Sequence, residues 1–246
     1  MKNIRILNTT LALIDENSIL SKINKSIQKR EIINLIYCDF RLLLYLQKNS
    51  LTLIEHPHTL IYPDSTGVFL ILKLFYRPLS GNFEKLVSTD IHYQLLNLFE
   101  REEVKIFVIG YNEKTLKKIV VKLQEEKPRI KMVGSINGYK NISVKKIIET
   151  INKNDCDILL IGMGVPKQEI FLNELHEKIN IPVRLTVGAF FQFYSGLSSR
   201  APIWIRKLNM EWLFRFFNEP FRLFSRYFIE YPKFVVKVII DKIKLC

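Results

Sequence analysis

The sequence predicts an α/β fold: a doubly wound, mostly parallel, Rossmann-like sheet with a helical C-terminal appendage. Three observations predict it, namely apolar runs that end in glycine, amphipathic helix-period segments between those runs, and a change of composition after Arg200. Strands that alternate with amphipathic helices form right-handed βαβ units, which bury a parallel sheet on both faces. A length of 246 residues suffices for one principal core. With 48% apolar and 25% charged residues, the chain is neither disordered nor a polytopic membrane protein.

Residues 1–8 lack the uninterrupted apolar core of a secretory signal, and no uncharged apolar run reaches the roughly 18 residues of a bilayer span. The first hundred residues read as further α/β. A strand covers 32–37, a helix 40–48, a short apolar stretch runs to Tyr62, and a helix spans 66–75. The pattern is regular from Val104. An apolar run over 104–109 meets Gly110-Tyr111-Asn112, and Leu116, Ile119, Val120 and Leu123 then recur at helical spacing. The strand 130–133 leads into Gly134 and Gly138, followed by helical Val144, Ile147, Ile148 and Ile151. The strand 158–161 ends in Gly162-Met163-Gly164, a helix covers 167–178, and a last strand covers 183–187.

These elements form a core over residues 1–199, and residues 200–246 form the appendage. Glycine is absent from the appendage, while aromatics and cations crowd it, ten Lys or Arg standing against four Asp or Glu. The excess of six positive charges is nearly half of the chain's net +13. At about 100° per residue, Arg215, Arg222, Arg226, Lys233, Lys237 and Lys244 share one helical face. Pro220 and Pro232 should divide that face among two or three short helices. A basic, aromatic face suits either an anionic membrane boundary or the solvated side of a docked tail. A nucleic-acid adaptor would account for the charge but not for the glycines at the strand ends, so nucleic acid is not expected as a partner. Cys38, Cys156 and Cys246 are odd in number and far apart, which fits a reducing cytoplasm without disulfides or zinc.

In open parallel sheets, ligands bind beyond the carboxyl ends of the strands. The candidate residues therefore lie in the loops after the strands: Tyr37 and Asp39; Asp64, Thr66 and Gly67; Gly110 and Tyr111; Gly138; and Gly162, Gly164, Pro166, Lys167, Gln168 and Glu169. All are expected to face one crevice. Glycines there let backbone approach a ligand, and the amides that open a following helix favour a diphosphate. Neither GxGxxG nor GxxxxGK[ST] occurs, so ordinary dinucleotide and P-loop readings are weak. Asp64, between a proline and a helix start, reads on its own as a helix cap or as a catalytic base. Lys167 and Glu169 read equally well as ordinary first-turn helix residues. Asp155-Cys156-Asp157 has the DxD form of metal-bound nucleotide sugars, but it precedes a strand and so belongs at the opposite end of the sheet. None of His56, His58, His92 and His176 neighbours a GxSxG elbow.

Together, Pro63-Asp64 with Gly67, GMGVPKQE over 162–169, VGAFFQFYSG over 187–196, Arg200-Ala201-Pro202 with Trp204, and Glu211-Trp212 with Arg215, Glu219-Pro220 and Arg222 resemble the WecG/TagA/CpsF glycosyltransferases. The order and spacing match over roughly residues 30–230. The resemblance implies an inverting, metal-independent enzyme without cofactors. Such an enzyme moves a sugar of the N-acetylmannosamine type or a related hexose from a UDP-sugar to a polyprenyl-diphosphate-linked sugar. It implies work on cell-surface polysaccharide or teichoic acid, peripheral on the inner face of the plasma membrane, and a capacity to form homo-oligomers. By motif, Asp64 would be the general base, Gln168 would bind sugar or nucleotide, and Lys167 would add charge. Arg77 or the tail arginines Arg215, Arg222 and Arg226 would neutralise diphosphate, and the tail would close over the site at the membrane. The chain departs from the family pattern at Ser65, where glycine is common, near Asp39, where an asparagine is common, and near Gln192, where an aspartate is common. The family arginine before a Ser/Thr-Gly pair aligns with Pro78, one position from Arg77. These departures leave room for a member that binds a sugar nucleotide without turnover.

Overall fold

The computed structural model describes residues 2–76, 83–140 and 142–245. The chain opens with a hairpin, β1 (Lys2–Ile6) paired antiparallel to β2 (Thr9–Leu13). Next comes α1 (Glu16–Lys29), whose first turn is capped by the Asp15 carboxylate accepting from the Ser18 N–H. Neither the hairpin nor α1 stands in the sequence reading. The core then runs β3 (Ile33–Cys38), α2 (Phe40–Leu46), α3 (Thr52–Glu55), β4 (Thr59–Pro63), α4 (Thr66–Phe75) and α5 (Ser88–Arg101). It continues through β5 (Lys105–Gly110), α6 (Glu113–Glu126), β6 (Lys131–Ile136), α7 (Val144–Asn152), β7 (Ile158–Gly162), α8 (Lys167–Leu175), β8 (Val183–Thr186) and the short α9 (Phe190–Tyr194).

Six strands form one parallel sheet in the order β4-β3-β8-β7-β5-β6. Its central strands are unbroken runs such as the fully buried Ile-Leu-Leu-Ile-Gly of β7, as expected where helices cover both faces. On one face Ile36, Cys38, Ile61, Phe107 and Ile161 pack under α2, α4, α7 and α8. On the other, Leu35, Leu60, Val108, Leu160 and Leu185 pack under α1, α5 and α6. Arg184 lies in β8 at 1% exposure, with its guanidinium donating to the carbonyls of His176, Ile179 and Ile181 at 2.7–2.9 Å. A cation can be buried there because the carbonyls of a turning loop replace its water.

The chain runs from β3 outward to the edge strand β4, while β8 flanks β3 on the inner side. The carboxyl ends of β3 and β8 therefore open a crevice at a topological switch point.

The appendage consists of α10 (Ile203–Lys207), α11 (Glu211–Asn218) and α12 (Pro220–Ser225), then a π-helical turn (Arg226–Glu230) that leads directly into α13 (Tyr231–Leu245). Pro220 opens a helix at its first position, where its missing N–H costs nothing. Pro232 does not break the helix, contrary to the sequence expectation. The π turn before it uses the wider bond from the Tyr231 N–H to the Arg226 carbonyl, which relaxes the clash a proline ring makes in a regular helix. Phe234 and Val238 of α13 are fully buried in the same apolar cluster as α2 and α4. Among the described residues, no helix is long and apolar enough to cross a membrane.

Candidate functional site

A cavity of about 800 Å³ lies over the carboxyl ends of β3, β4 and β8. Its floor is Tyr37, Asp39, Asp64 and Gly188, and one wall is the start of α4 with residues 85–90. The other wall and the rim are the appendage, through Ile203, Arg206, Trp212, Arg215, Arg222, Arg226 and Tyr231.

Asp64 follows β4, and its N–H donates to the Cys38 carbonyl at 3.0 Å, which ties the ends of β3 and β4 together. Its Oδ1 accepts the Ser88 N–H at 2.8 Å. Asp64 does not cap α4; that cap is the Ser65 hydroxyl, accepting from the Val68 N–H at 3.4 Å. Burial pushes the Asp64 carboxyl above its ordinary value, the Asp39 charge adds to this, and the Ser88 hydrogen bonds oppose it. A carboxylate of raised pKa beside an open cavity is suited to accept a proton near neutral pH.

Asp39 is occupied on both oxygens. Oδ1 caps α2 by accepting the Arg41 and Leu42 N–H groups at 3.0 and 3.1 Å. Oδ2 meets Arg226 Nη2 of the appendage at 3.0 Å. Arg226 also stacks over the Phe40 ring at 5.6 Å. Arg215 lies 4.8 Å from the centre of the Phe193 ring and 3.8 Å from Glu211. Of the predicted six-cation stripe, Arg215, Arg222 and Arg226 turn to the cavity, and Lys237 donates to Gln47 at 2.6 Å. The stripe is therefore not one solvated face: α11, α12 and the π turn present its arginines to the cavity, while the apolar side of α13 packs with α2 and α4.

Tyr37, Asp39, Asp64, Thr66, Gly67 and Gly164 of the predicted residues line the cavity. The loop after β5 does not join them. Gly110, Gly138 and Gly162 pack on one another, so that a Cβ on Gly110 would fall 2.2 Å from the Gly162 carbonyl oxygen. Tyr111, at 1% exposure, covers Gly162, and its hydroxyl donates to the Gly188 carbonyl at 2.5 Å. Its ring fills the space beside Gly162, where bare glycines suggest a ligand cradle. Pro166, Lys167, Gln168 and Glu169 also stand off the lining, with Lys167 exposed. Gln168 is fully buried, and its side-chain oxygen accepts the N–H groups of Gly164 and Gly188 at 3.2 and 3.0 Å, holding two cavity loops together. Its amide donates to Glu169 at 2.7 Å. Burial pushes the Glu169 carboxyl up to about 8, against the Gln168 hydrogen bond. Arg77, Pro78, Ser80 and Gly81 lie outside the described residues.

Asp155 and Asp157 stand at the opposite end of the sheet, as their position before β7 predicts. Asp157 accepts the Lys105 N–H at 2.9 Å and pairs with Arg30 at 3.0 Å, while Asp155 pairs with the Lys105 ammonium.

Lys85, Ser88, Asp90, Gly188, Arg200 and Arg206 line the cavity although sequence reasoning did not single them out as site residues. Arg200 Nη1 meets Asp90 at 2.6 Å, joining the appendage to α5. Two of them carried a signal, Arg200 in the Arg-Ala-Pro motif and Gly188 as the glycine that follows β8; at φ +53° a Cβ on Gly188 would strike the Tyr37 hydroxyl.

Residues 4–245 match the model of the glycosyl transferase WecG/TagA/CpsF family. The chain is similar to the N-acetylglucosaminyldiphosphoundecaprenol N-acetyl-beta-D-mannosaminyltransferase of Bacillus subtilis (strain 168), 27% identical over 179 residues, covering 73% of this chain and 68% of that one. The Bacillus spizizenii protein of the same name is 25% identical over 179 residues, with 73% and 67% covered. That of Staphylococcus aureus (strain NCTC 8325 / PS 47) is 26% identical over 155 residues, with 63% and 59% covered.

Proposed function

The chain belongs to the glycosyl transferase WecG/TagA/CpsF family, and from that membership we propose that it moves an N-acetylmannosamine-type sugar from a UDP-sugar to a polyprenyl-diphosphate-linked N-acetylglucosamine. The observation that carries the reading is Asp64, a carboxylate of raised pKa at the carboxyl edge of the sheet, inside a cavity rimmed by arginines. Asp64 removes the acceptor hydroxyl proton as that oxygen attacks the anomeric carbon, and the bond from that carbon to the diphosphate oxygen breaks. UDP leaves from the opposite face. One displacement inverts the anomeric centre, so a single carboxylate suffices.

The charge that develops on the diphosphate is met by cations of the lining rather than by a divalent metal. Support comes from the arginine density of the rim and from the distance of Asp155 and Asp157 from the cavity. The rim is also the membrane side. Ile203, Trp204, Leu208, Phe217 and Phe221 are exposed on the appendage, and Leu74 on α4 is exposed as well. A cluster of exposed large apolar side chains among cations suits the headgroup boundary of an anionic bilayer, where a lipid-linked acceptor resides. The function is tested by incubating the protein with UDP-sugars and a short-chain prenyl-diphosphate N-acetylglucosamine and following UDP release. Release with UDP-N-acetylmannosamine, unchanged by EDTA, is the expected result. No transfer with any UDP-sugar would refute the reading, and loss of transfer with EDTA would refute metal independence.

A further inference from the structure

Among the described residues, eight cations line the cavity, and six of them, all arginines, lie within ion-pair distance of a carboxylate. The other two are Lys207, which is exposed, and Lys85, which is half-buried. Among the described residues Lys85 meets only neutral acceptors: its ammonium donates to Thr66 Oγ1 at 3.4 Å and to Asn209 Oδ1 of the appendage. Thr66 is two residues beyond Asp64, and Ser88, three residues beyond Lys85, donates its N–H to Asp64. One short loop thus carries both this cation and a ligand of the base. A partly desolvated ammonium with no carboxylate in direct contact among the described residues favours the arrival of an anion, because the anion replaces lost hydration with a charge-assisted hydrogen bond. Burial pulls the Lys85 ammonium below its ordinary value, and Glu211, Asp64 and Asp90 work against that pull.

We propose that Lys85 binds a substrate diphosphate in this cavity, an inference that rests on the glycosyl-transfer reading above. It deepens that reading by assigning to residue 85 the charge expected of Arg77. The paired arginines would have to break an ion pair before they served the same purpose, whereas Lys85 exchanges only neutral partners. The chemistry is that of a diphosphate ester, and it has two sources, the nucleotide donor and the lipid-linked acceptor.

Isothermal titration of the full chain with UDP, UMP and geranyl diphosphate tests the proposal. Lys85→Gln is expected to weaken UDP or geranyl diphosphate by about tenfold to a hundredfold, the worth of one charge-assisted hydrogen bond. A loss with UDP assigns the donor, and a loss with geranyl diphosphate assigns the acceptor. UMP should weaken much less. Lys85→Arg should stay within about threefold of wild type, since it keeps the charge and the donors. Lys118→Gln, the same charge change on the exposed face of α6, should bind as wild type. Asn209→Ala, which cuts the bond to the appendage but leaves the ammonium, should retain affinity. Unchanged binding of both diphosphates by Lys85→Gln would overturn the proposal. An equal loss in Asn209→Ala would also overturn it, because Lys85 would then act only as a tie to the appendage. A wild-type chain that binds neither diphosphate would instead refute the glycosyl-transfer reading itself.

Discussion

Ser65 joins the base to α4 in a conformation that glycine adopts more readily, with φ 79° and ψ 148°. The family pattern of Asp-Gly at this point is thereby explained: the chain must turn sharply from the strand end for the carboxylate to face the cavity. A side chain in that region costs on the order of 1–3 kcal/mol, while replacing a serine cap with glycine costs a few tenths. Ser65→Gly is therefore expected to raise the melting temperature by a few degrees, measured by calorimetry, and an unchanged or lowered value would contradict the strain. Glu169 makes a second residue-scale prediction. Its carboxyl, buried beside Gln168 with Asp39 and Arg41 nearby, is raised from 4.5 to about 8, so the folded protein holds a proton that the unfolded chain releases. Stability from this group is present below about pH 4.5 and is lost as pH rises through about 8. Glu169→Gln should flatten the decline of melting temperature between those pH values, and a slope equal to wild type would contradict the assignment.

At the scale of elements, the appendage is held by particular contacts rather than by general stickiness. Tyr231 donates to the Gly67 carbonyl at 3.2 Å, and a Cβ on Gly67 would fall 2.5 Å from its ring. Arg226 meets Asp39, which caps α2 at the same time. Gly67→Ala and Asp39→Asn should each loosen the appendage, seen as faster amide exchange in 220–240 with the sheet still protected. Equal protection in both variants would show that the buried Phe234 and Val238 hold it alone. The parallel strands and their helices were legible from glycine-terminated apolar runs, because a strand buried on both faces needs such a run. The hairpin was not, since its five-residue strands leave only a few apolar residues. The filled space beside the glycines was equally hidden. Gly110, Gly138 and Gly162 look like ligand glycines, and only the fold shows that backbone and Tyr111 occupy the space beside them. Asp64 and Asp39 were legible because a strand end places them directly, whereas Lys85 and Ser88 reach the cavity through a loop that has no periodic signal.

For the whole molecule, the appendage that rims the cavity with arginines also carries the exposed Ile203, Trp204, Phe217 and Phe221. Truncating the appendage would test membrane binding poorly, since it would uncover the apolar bed of Phe234 and Val238 on α2 and α4. Phe217→Ser with Phe221→Ser is cleaner, because these side chains are 74% and 98% exposed. That pair should lower sedimentation with anionic liposomes without lowering the melting temperature, and undiminished sedimentation would place the membrane contact elsewhere. The proposed function makes Asp64 the group that takes the proton of the acceptor hydroxyl. Asp64→Asn keeps an oxygen for the Ser88 N–H while removing the base, so the melting temperature should hold. The most direct measurement is its single-turnover transfer rate with lipid acceptor: a fall of about 10²–10⁴ is predicted, and a folded variant that transfers near the wild-type rate would contradict the account.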